Sequence, residues 1–243
     1  ISGGSKGPTF NLSATTNYED GIMVTSGYRR KLISFRMDHE ANSKLKLGFT
    51  ARYNNQQVSG SGTNTDNGYE YAKYRATVKY RPMIINSSVG VEDFDADYND
   101  EYESGNGLSI INPLVLSQQS YLKTYTNAVN LGGYLTYNFN KLLSFKTTLG
   151  TDLNFQTRNG FEDSLTNTSK NNSNGTPIVR VINSSVNTFN NSNVLTFSNA
   201  QLSSGFSNRN KISLLVGQES YLMSSKKNDI QVGYFPNGIT PEK

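Results

Sequence analysis

The sequence predicts an all-β fold, an antiparallel transmembrane β-barrel of which about nine strands lie in this chain. Three observations predict it. Residues 143–158 alternate without interruption. Leu143, Phe145, Thr147, Leu149, Thr151, Leu153, Phe155 and Thr157 fall on one side, and Ser144, Lys146, Thr148, Gly150, Asp152, Asn154, Gln156 and Arg158 on the other. Period two is the strand period, and at ~3.3 Å per residue this run extends roughly 50 Å, far beyond an ordinary strand of about 5–6 residues. Connections between alternating runs switch regularly from short to long, as in outer-membrane barrels with tight turns on one side and longer loops on the other. No run approaches the ~20 apolar residues of a membrane helix, so any spanning falls to strands.

The strands are expected near 9–18, 28–38, 44–57, 71–80, 84–94, 126–139, 142–158, 193–206 and 211–223. In the second, Ile33, Phe35 and Met37 oppose Leu32, Ser34, Arg36 and Asp38. In the third, Leu45, Leu47, Phe49, Ala51 and Tyr53 oppose Lys46, Gly48, Thr50, Arg52 and Asn54. The fourth sets Ala72, Tyr74, Ala76, Val78 and Tyr80 against Lys73, Arg75, Thr77, Lys79 and Arg81. The sixth sets Val129, Leu131, Gly133, Leu135, Tyr137 and Phe139 against Asn130, Gly132, Tyr134, Thr136 and Asn138. The first, fifth and last are weaker, and the eighth slips phase after Phe197, the signature of a bulge. Short connections fall at 39–43, 81–83, 139–141 and 207–210, and long ones at 19–27, 58–70, 95–125, 159–192 and after 224.

Composition agrees. Of 243 residues, 35% are hydrophobic, 17% charged and 11% aromatic, with mean hydropathy −0.56. Polarity therefore comes from Asn, Ser, Thr, Gly and Tyr, the mixture of a wall whose strands face water on one side only. The aromatic content and strict alternation argue against disorder. There is no Cys, which excludes disulfides and thiol chemistry. A net charge of +4 without a Lys/Arg tract gives no reason to expect a nucleic-acid partner.

The polar faces carry Arg36, Lys46, Arg52, Lys73, Arg75, Lys79, Arg81, Lys146 and Arg158. A Lys or Arg facing lipid at mid-membrane costs about 2–4 kcal/mol, so these faces are expected to line the lumen, with Asp152 among them. Tyr53, Tyr80, Tyr137 and Phe139 near strand ends suit an interfacial girdle. Nine strands, an odd number, would leave two open edges in lipid. Residues 1–243 are therefore expected to be a partial barrel, part of a larger one, with no signal peptide, plug domain or TonB-contacting segment among them.

Ser2-Gly3-Gly4-Ser5 before a strand, followed by Asp20-Gly21-Ile22-Met23-Val24-Thr25-Ser26-Gly27-Tyr28-Arg29-Arg30, resembles the SusC/RagA group of TonB-dependent transporters of Bacteroidota. Leu45-Lys46-Leu47-Gly48-Phe49, Asn127-Ala128-Val129-Asn130-Leu131-Gly132-Gly133-Tyr134, Leu214-Leu215-Val216-Gly217-Gln218-Glu219 and Asn112-Pro113-Leu114 are similar in character and order. The resemblance implies a barrel of the type with about 22 strands and a plugged lumen. It also implies a Gram-negative outer-membrane location, a lid lipoprotein of the SusD type, a TonB complex acting through parts outside this chain, and an oligosaccharide or peptide as cargo.

No residue pattern points to catalysis, so the chain is not expected to be an enzyme. The single histidine, His39, lies beside Asp38 at an expected turn, where no sheltered relay forms. The acidic run 92–103 offers alternate carboxylates of the kind that gather calcium. An EF-hand needs Gly where Tyr98 stands and Glu where Ser104 stands, so a solvated loop is the expectation and no cofactor is assigned. Tyr69, Tyr71, Tyr98, Tyr102, Tyr121 and Tyr125 fall in or beside long loops among Asn, Ser and Gln. There, flat rings suit stacking on sugars or adaptable contact with a lid. The alternatives are a structural or adhesive outer-membrane barrel without transport, and a soluble β-rich binding domain.

Overall fold

The computed structural model describes residues 1–4, 7–60, 78, 117, 119–164, 166, 169, 173–199 and 210–234. It is all-β: one antiparallel sheet of eight strands in sequence order. They are β1 (Ser2–Gly4), β2 (Pro8–Asp20), β3 (Gly27–Glu40), β4 (Leu45–Ser59), β5 (Ser120–Asn138), β6 (Leu143–Glu162), β7 (Ile178–Ser198) and β8 (Ser213–Val232). The sheet is not closed on itself. No helix among the described residues is long and apolar enough to cross a membrane.

Several expectations change. The strands expected at 71–80 and 84–94 lie outside the described residues, and the wall position assigned to them is taken. β4 pairs directly with β5 from Leu45 opposite Tyr137 to Ser59 opposite Lys123, so these two strands are immediate neighbours in the sheet. Alternation identifies a ribbon, but only hydrogen bonding decides which ribbon lies beside it. Among the described residues the sheet has eight strands, the short β1 included. The eighth expected strand, 193–206, corresponds to β7, which begins far earlier, at Ile178, and runs to Ser198; 200–206 lie outside the described residues. Asn and Ser over 183–193 give it no apolar alternation, yet both its edges are hydrogen-bonded, to β6 and β8. The expected bulge after Phe197 is absent. Leu195, Thr196, Phe197 and Ser198 pair in unbroken register with Val216, Leu215, Leu214 and Ser213, and the strand simply ends. Ser2–Gly4, outside the expected strands, pairs with Thr9–Asn11.

The connections sort by length only in part, because 199–212, at the end of the tight turns, is longer than 21–26 at the other end, where 207–210 was expected to be short and 19–27 long. At one end, 41–44 and 139–142 are tight turns built the same way. Asn42 Oδ1 accepts from the Lys44 and Leu45 amides at 2.8 and 2.9 Å. Asn140 Oδ1 accepts from those of Leu142 and Leu143 at 2.8 Å each. Such Asx turns replace a backbone turn with the residue's own carbonyl. At the same end Asn199 ties the longer connection 199–212, its Nδ2 donating to the Asn210 carbonyl and its Oδ1 accepting from the Ile212 amide, both at 2.8 Å. The opposite end holds 21–26, 60–119 and 163–177.

Register fixes the two faces. Leu12, Phe35, Ala51, Leu131, Thr151, Phe189 and Leu222 stand abreast across the sheet from β2 to β8. One residue further along every strand, Ser13, Ser34, Arg52, Asn130, Asp152, Thr188 and Met223 stand abreast on the other face. Because side chains alternate, one row is apolar and the next polar. The apolar face is not covered. Among the described residues the only buried hydrophobic side chains of note are Phe161 and Ile178, whereas Phe49, Leu149, Phe155, Leu195 and Leu222 are 40–67% exposed. No second layer packs on this sheet, which removes the dry interior a soluble sandwich requires.

The apolar residues also keep to one height. They occupy 45–53 of β4, 129–137 of β5, 189–197 of β7 and 214–222 of β8, each close to the ~9–11 residues of a tilted membrane-crossing strand. Beyond that height, toward the long connections, the contrast between faces is lost. β4 is polar on both, with Asn54 and Gln56 on one side and Asn55 and Gln57 on the other, while β7 and β8 carry Val179, Val181, Ile230 and Val232 past the band.

Candidate functional site

The candidate site is the polar face. Of the side chains expected to line a lumen, Arg36, Lys46, Arg52, Lys146, Asp152 and Arg158 all lie on this face, since each is one register step from the apolar rows. Lys73, Arg75 and Lys79 lie outside the described residues, and the expected place for them between β4 and β5 does not exist.

Near the tight-turn end the face carries linked charges. Lys46 Nζ meets Glu40 Oε1 at 2.6 Å, and Arg36 Nε meets Asp38 Oδ2 at 2.8 Å. Tyr134, on β5, reaches across β4 and donates its hydroxyl to Asp38 Oδ1 on β3 at 2.9 Å. Gly48 lets it pass. A Cβ built there would stand 2.2 Å from Tyr134 Cε1 and 2.7 Å from Asp38 Oδ1. Lys146 Nζ lies 5.7 Å from the Tyr134 ring centre, a cation–π distance. At mid-height Asp152 is held by neutral donors, Asn130 Nδ2 at 2.6 Å and Thr188 Oγ1 at 3.1 Å. Arg52, in the same row, has no carboxylate partner among the described residues.

Toward the long connections Arg30 Nε donates to Asn54 Oδ1 at 2.7 Å. Arg180 grips Asp229 with two bonds, Nε to Oδ1 at 2.9 Å and Nη2 to Oδ2 at 2.6 Å, and Lys227 Nζ stands 4.0 Å from the same carboxylate. This group sits beyond the apolar band, and the hydrogen bond from Arg180 holds the Asp229 carboxyl below its ordinary range. The pair was not expected, because 159–192 reads as a loop. Ile178, Val179, Arg180, Val181 and Ile182 mix apolar residues on both faces, so no period-two signal marks the strand.

The apolar face has its own cations, Arg29, Lys31, Lys123 and Lys226, and every one lies past the band toward the long connections. Arg29 covers the Tyr18 ring at 4.8 Å and donates to its hydroxyl at 3.1 Å. Charge on this face is sorted by height in the way a bilayer requires. Of the expected girdle residues, Tyr137 and Phe139 meet edge to face at 5.0 Å at the tight-turn margin of the band, and Tyr53 marks the other margin. Tyr80 lies outside the described residues.

The loop tyrosines fare differently. Tyr69, Tyr71, Tyr98 and Tyr102, with the acidic run 92–103, lie outside the described residues. Tyr121 and Tyr125 are in β5, not in a loop: the strand starts at Ser120, and Tyr125 pairs with Thr157. Tyr121 stacks on Phe161 at 5.7 Å with Lys123 Nζ 5.2 Å above its ring, which makes it a packing residue. His39 stands on the apolar face opposite Leu47 at the tight-turn end, away from any relay.

The fold resembles that of solved transporters. A chain of the RagAB peptide importer in the closed-closed state matches 96% of this chain with a TM-score of 0.63 and 12% identity. The open-open state matches 96% at TM-score 0.67 and 13% identity, and a further structure of the RagAB peptide transporter matches 99% at 0.65 and 12%. The match takes up 24–26% of those chains, so this chain spans about a quarter of their length. The fold is therefore SusC/RagA-like over this section. No protein-family model and no curated protein matches the sequence.

Proposed function

We propose that this chain is a section of the barrel wall of an outer-membrane, TonB-dependent importer of the SusC type. One observation carries the proposal: the sheet exposes an uncovered apolar band about one bilayer high, and among the described residues every cation on that face lies above it. Lipid is the solvent that such a surface fits. The opposite face, with Arg36, Lys46, Arg52, Lys146, Asp152 and Arg158, then lines the lumen. The free edges of β8 and of β2 beyond its pairing with β1 cannot stand open in hydrocarbon. Further strands close the barrel on this reading.

The cargo class is an oligosaccharide or a peptide, in line with the peptide importers that share the fold. A SusD-like lipoprotein lids the barrel on the side of the long connections, and a TonB complex acts on a plug outside this section. The contribution of these residues is passive: a watertight wall, a wet cationic lining and an extracellular rim. No bond is made or broken here. Uptake by the full-length protein in proteoliposomes or intact cells tests the proposal. TonB-dependent accumulation of oligopeptides or oligosaccharides supports it. A folded barrel that neither binds nor accumulates either class sinks it in favour of a structural barrel.

A further inference from the structure

The apolar face is charged at one margin only. In the three rows beyond that of Tyr53, toward the long connections, it carries Lys31 and Lys226 in the first, Arg29 in the second and Lys123 in the third. Among the described residues the strands set one carboxylate against them on this face, Asp20. At the tight-turn margin the described strands place no Lys or Arg on the same face, and Lys44 and Lys141 lie in the turns.

Successive rows on one face are ~7 Å apart along a strand, so the four cations occupy a belt roughly 13 Å deep, and less along the membrane normal because the strands tilt. Arg29 and Lys31 are neighbours on β3, both exposed, with Gln57 and Asn55 beside them on β4. Arg29 uses one nitrogen on the Tyr18 hydroxyl at 3.1 Å, and a guanidinium has further donors to offer. Lys31 and Lys226 have no carboxylate partner among the described residues. A surface that is only solvated mixes both signs of charge. Four cations to one carboxylate, at the height where the apolar band ends, call for anions from outside the sheet. The rest of the proposed barrel closes round the other face, so the bilayer is their source.

We propose that this margin binds the phosphate groups of a glycolipid of the outer leaflet, with Arg29 and Lys31 as the main contacts. Arg29 presents a fork of N–H donors to phosphate oxygens, Lys31 a compact charge, and the Gln57 amide a neutral donor between them. Each cation held close to an anionic lipid surface is worth about fivefold in binding. Lys226 and Lys123 carry the belt across the sheet, so several headgroups are held along the margin and none in a closed pocket. The inference rests on the reading of this face as lipid-facing.

The test uses full-length protein stripped of native lipid in detergent. It is titrated with phosphorylated lipid A and, separately, with the same lipid after its phosphates are removed, and native mass measurement reads the bound fraction. The phosphorylated form is expected to bind at least about tenfold more tightly, and Arg29→Gln with Lys31→Gln to lower that binding about tenfold or more. Should the glutamine pair fail to fold, Lys31→Gln alone is expected to cost about fivefold. Equal binding of the two lipids, or binding unchanged by these substitutions in a folded barrel, overturns the proposal. Displacement of the lipid by inorganic phosphate at a similar concentration also overturns it, since the site is then one for the free ion. Leu149→Cys, in vesicles, separates this inference from the reading beneath it. Labelling by lipid-soluble maleimide alone keeps the face in lipid, and each failure above then sinks only the headgroup site. Labelling by water-soluble maleimide overturns the lipid-facing reading and the headgroup site with it.

Discussion

Gly48 and Tyr134 show how one residue pair ties three strands. The ring crosses β4 only because position 48 has no Cβ, and its hydroxyl ends on Asp38 of β3. Gly48→Ala must push the ring off and break that bond. The expected cost is about 1–3 kcal/mol, as for overpacking elsewhere. It is measured as a lower urea midpoint of the full-length barrel in detergent or vesicles. Tyr134→Ala alone loses the same contact, so the double variant should cost less than the sum of the two. Additive losses would show that the two side chains do not interact. Asp152 illustrates the opposite economy: Asn130 and Thr188 satisfy it without a cation, leaving Arg52 available to the lumen.

At the scale of the strand, the face decides the cost of a charge. Leu149 and Thr148 are sequence neighbours on opposite faces of β6, at the same height in the band. Leu149→Arg should destabilise the inserted barrel by about 2–4 kcal/mol, because the charge enters hydrocarbon near the midplane. Thr148→Arg should stay within roughly 0.5 kcal/mol, the range of a solvated surface change. Comparing the two by unfolding from vesicles checks the assignment, and equal costs would refute it. The β7–β8 ladder past the band responds to acid. Asp229 has a lowered pKa from its bond to Arg180, so its contribution is fully present above the ordinary carboxylate range. It is lost as pH falls through the depressed folded value. Amide exchange over 178–184 should quicken on acidification in that window, and Asp229→Asn should remove the dependence.

For the whole molecule, the two tight turns built on asparagine at one end give the sheet a direction. Tight turns built on Asn42 and Asn140 face the periplasm on the proposed reading, and 163–177 faces outward. Single cysteines test this in intact cells. Asn174→Cys should label with a membrane-impermeant maleimide, and Lys141→Cys should label only after the outer membrane is opened. The reverse pattern would invert the molecule and place the lid side wrongly.

Much of the wall is legible in the residues alone, because period two is written wherever one face meets an apolar solvent. β3, β4, β6 and the band half of β5 follow it closely, and with them the side of the sheet that holds Arg36, Lys46, Arg52, Lys146, Asp152 and Arg158. The signal stops where the solvent becomes the same on both sides. Past the band, β5, β7 and β8 are polar or mixed on both faces, so Ser120–Tyr125, the first part of β7 and the Arg180–Asp229 pair left no periodic trace. Side-chain pattern therefore determined which residues share a face and which face is apolar. Only the tertiary structure decided which ribbons are neighbours, above all that β4 joins β5 across 60–119. That choice belongs to backbone hydrogen bonds, which every residue but proline offers alike, and no side-chain alphabet encodes it.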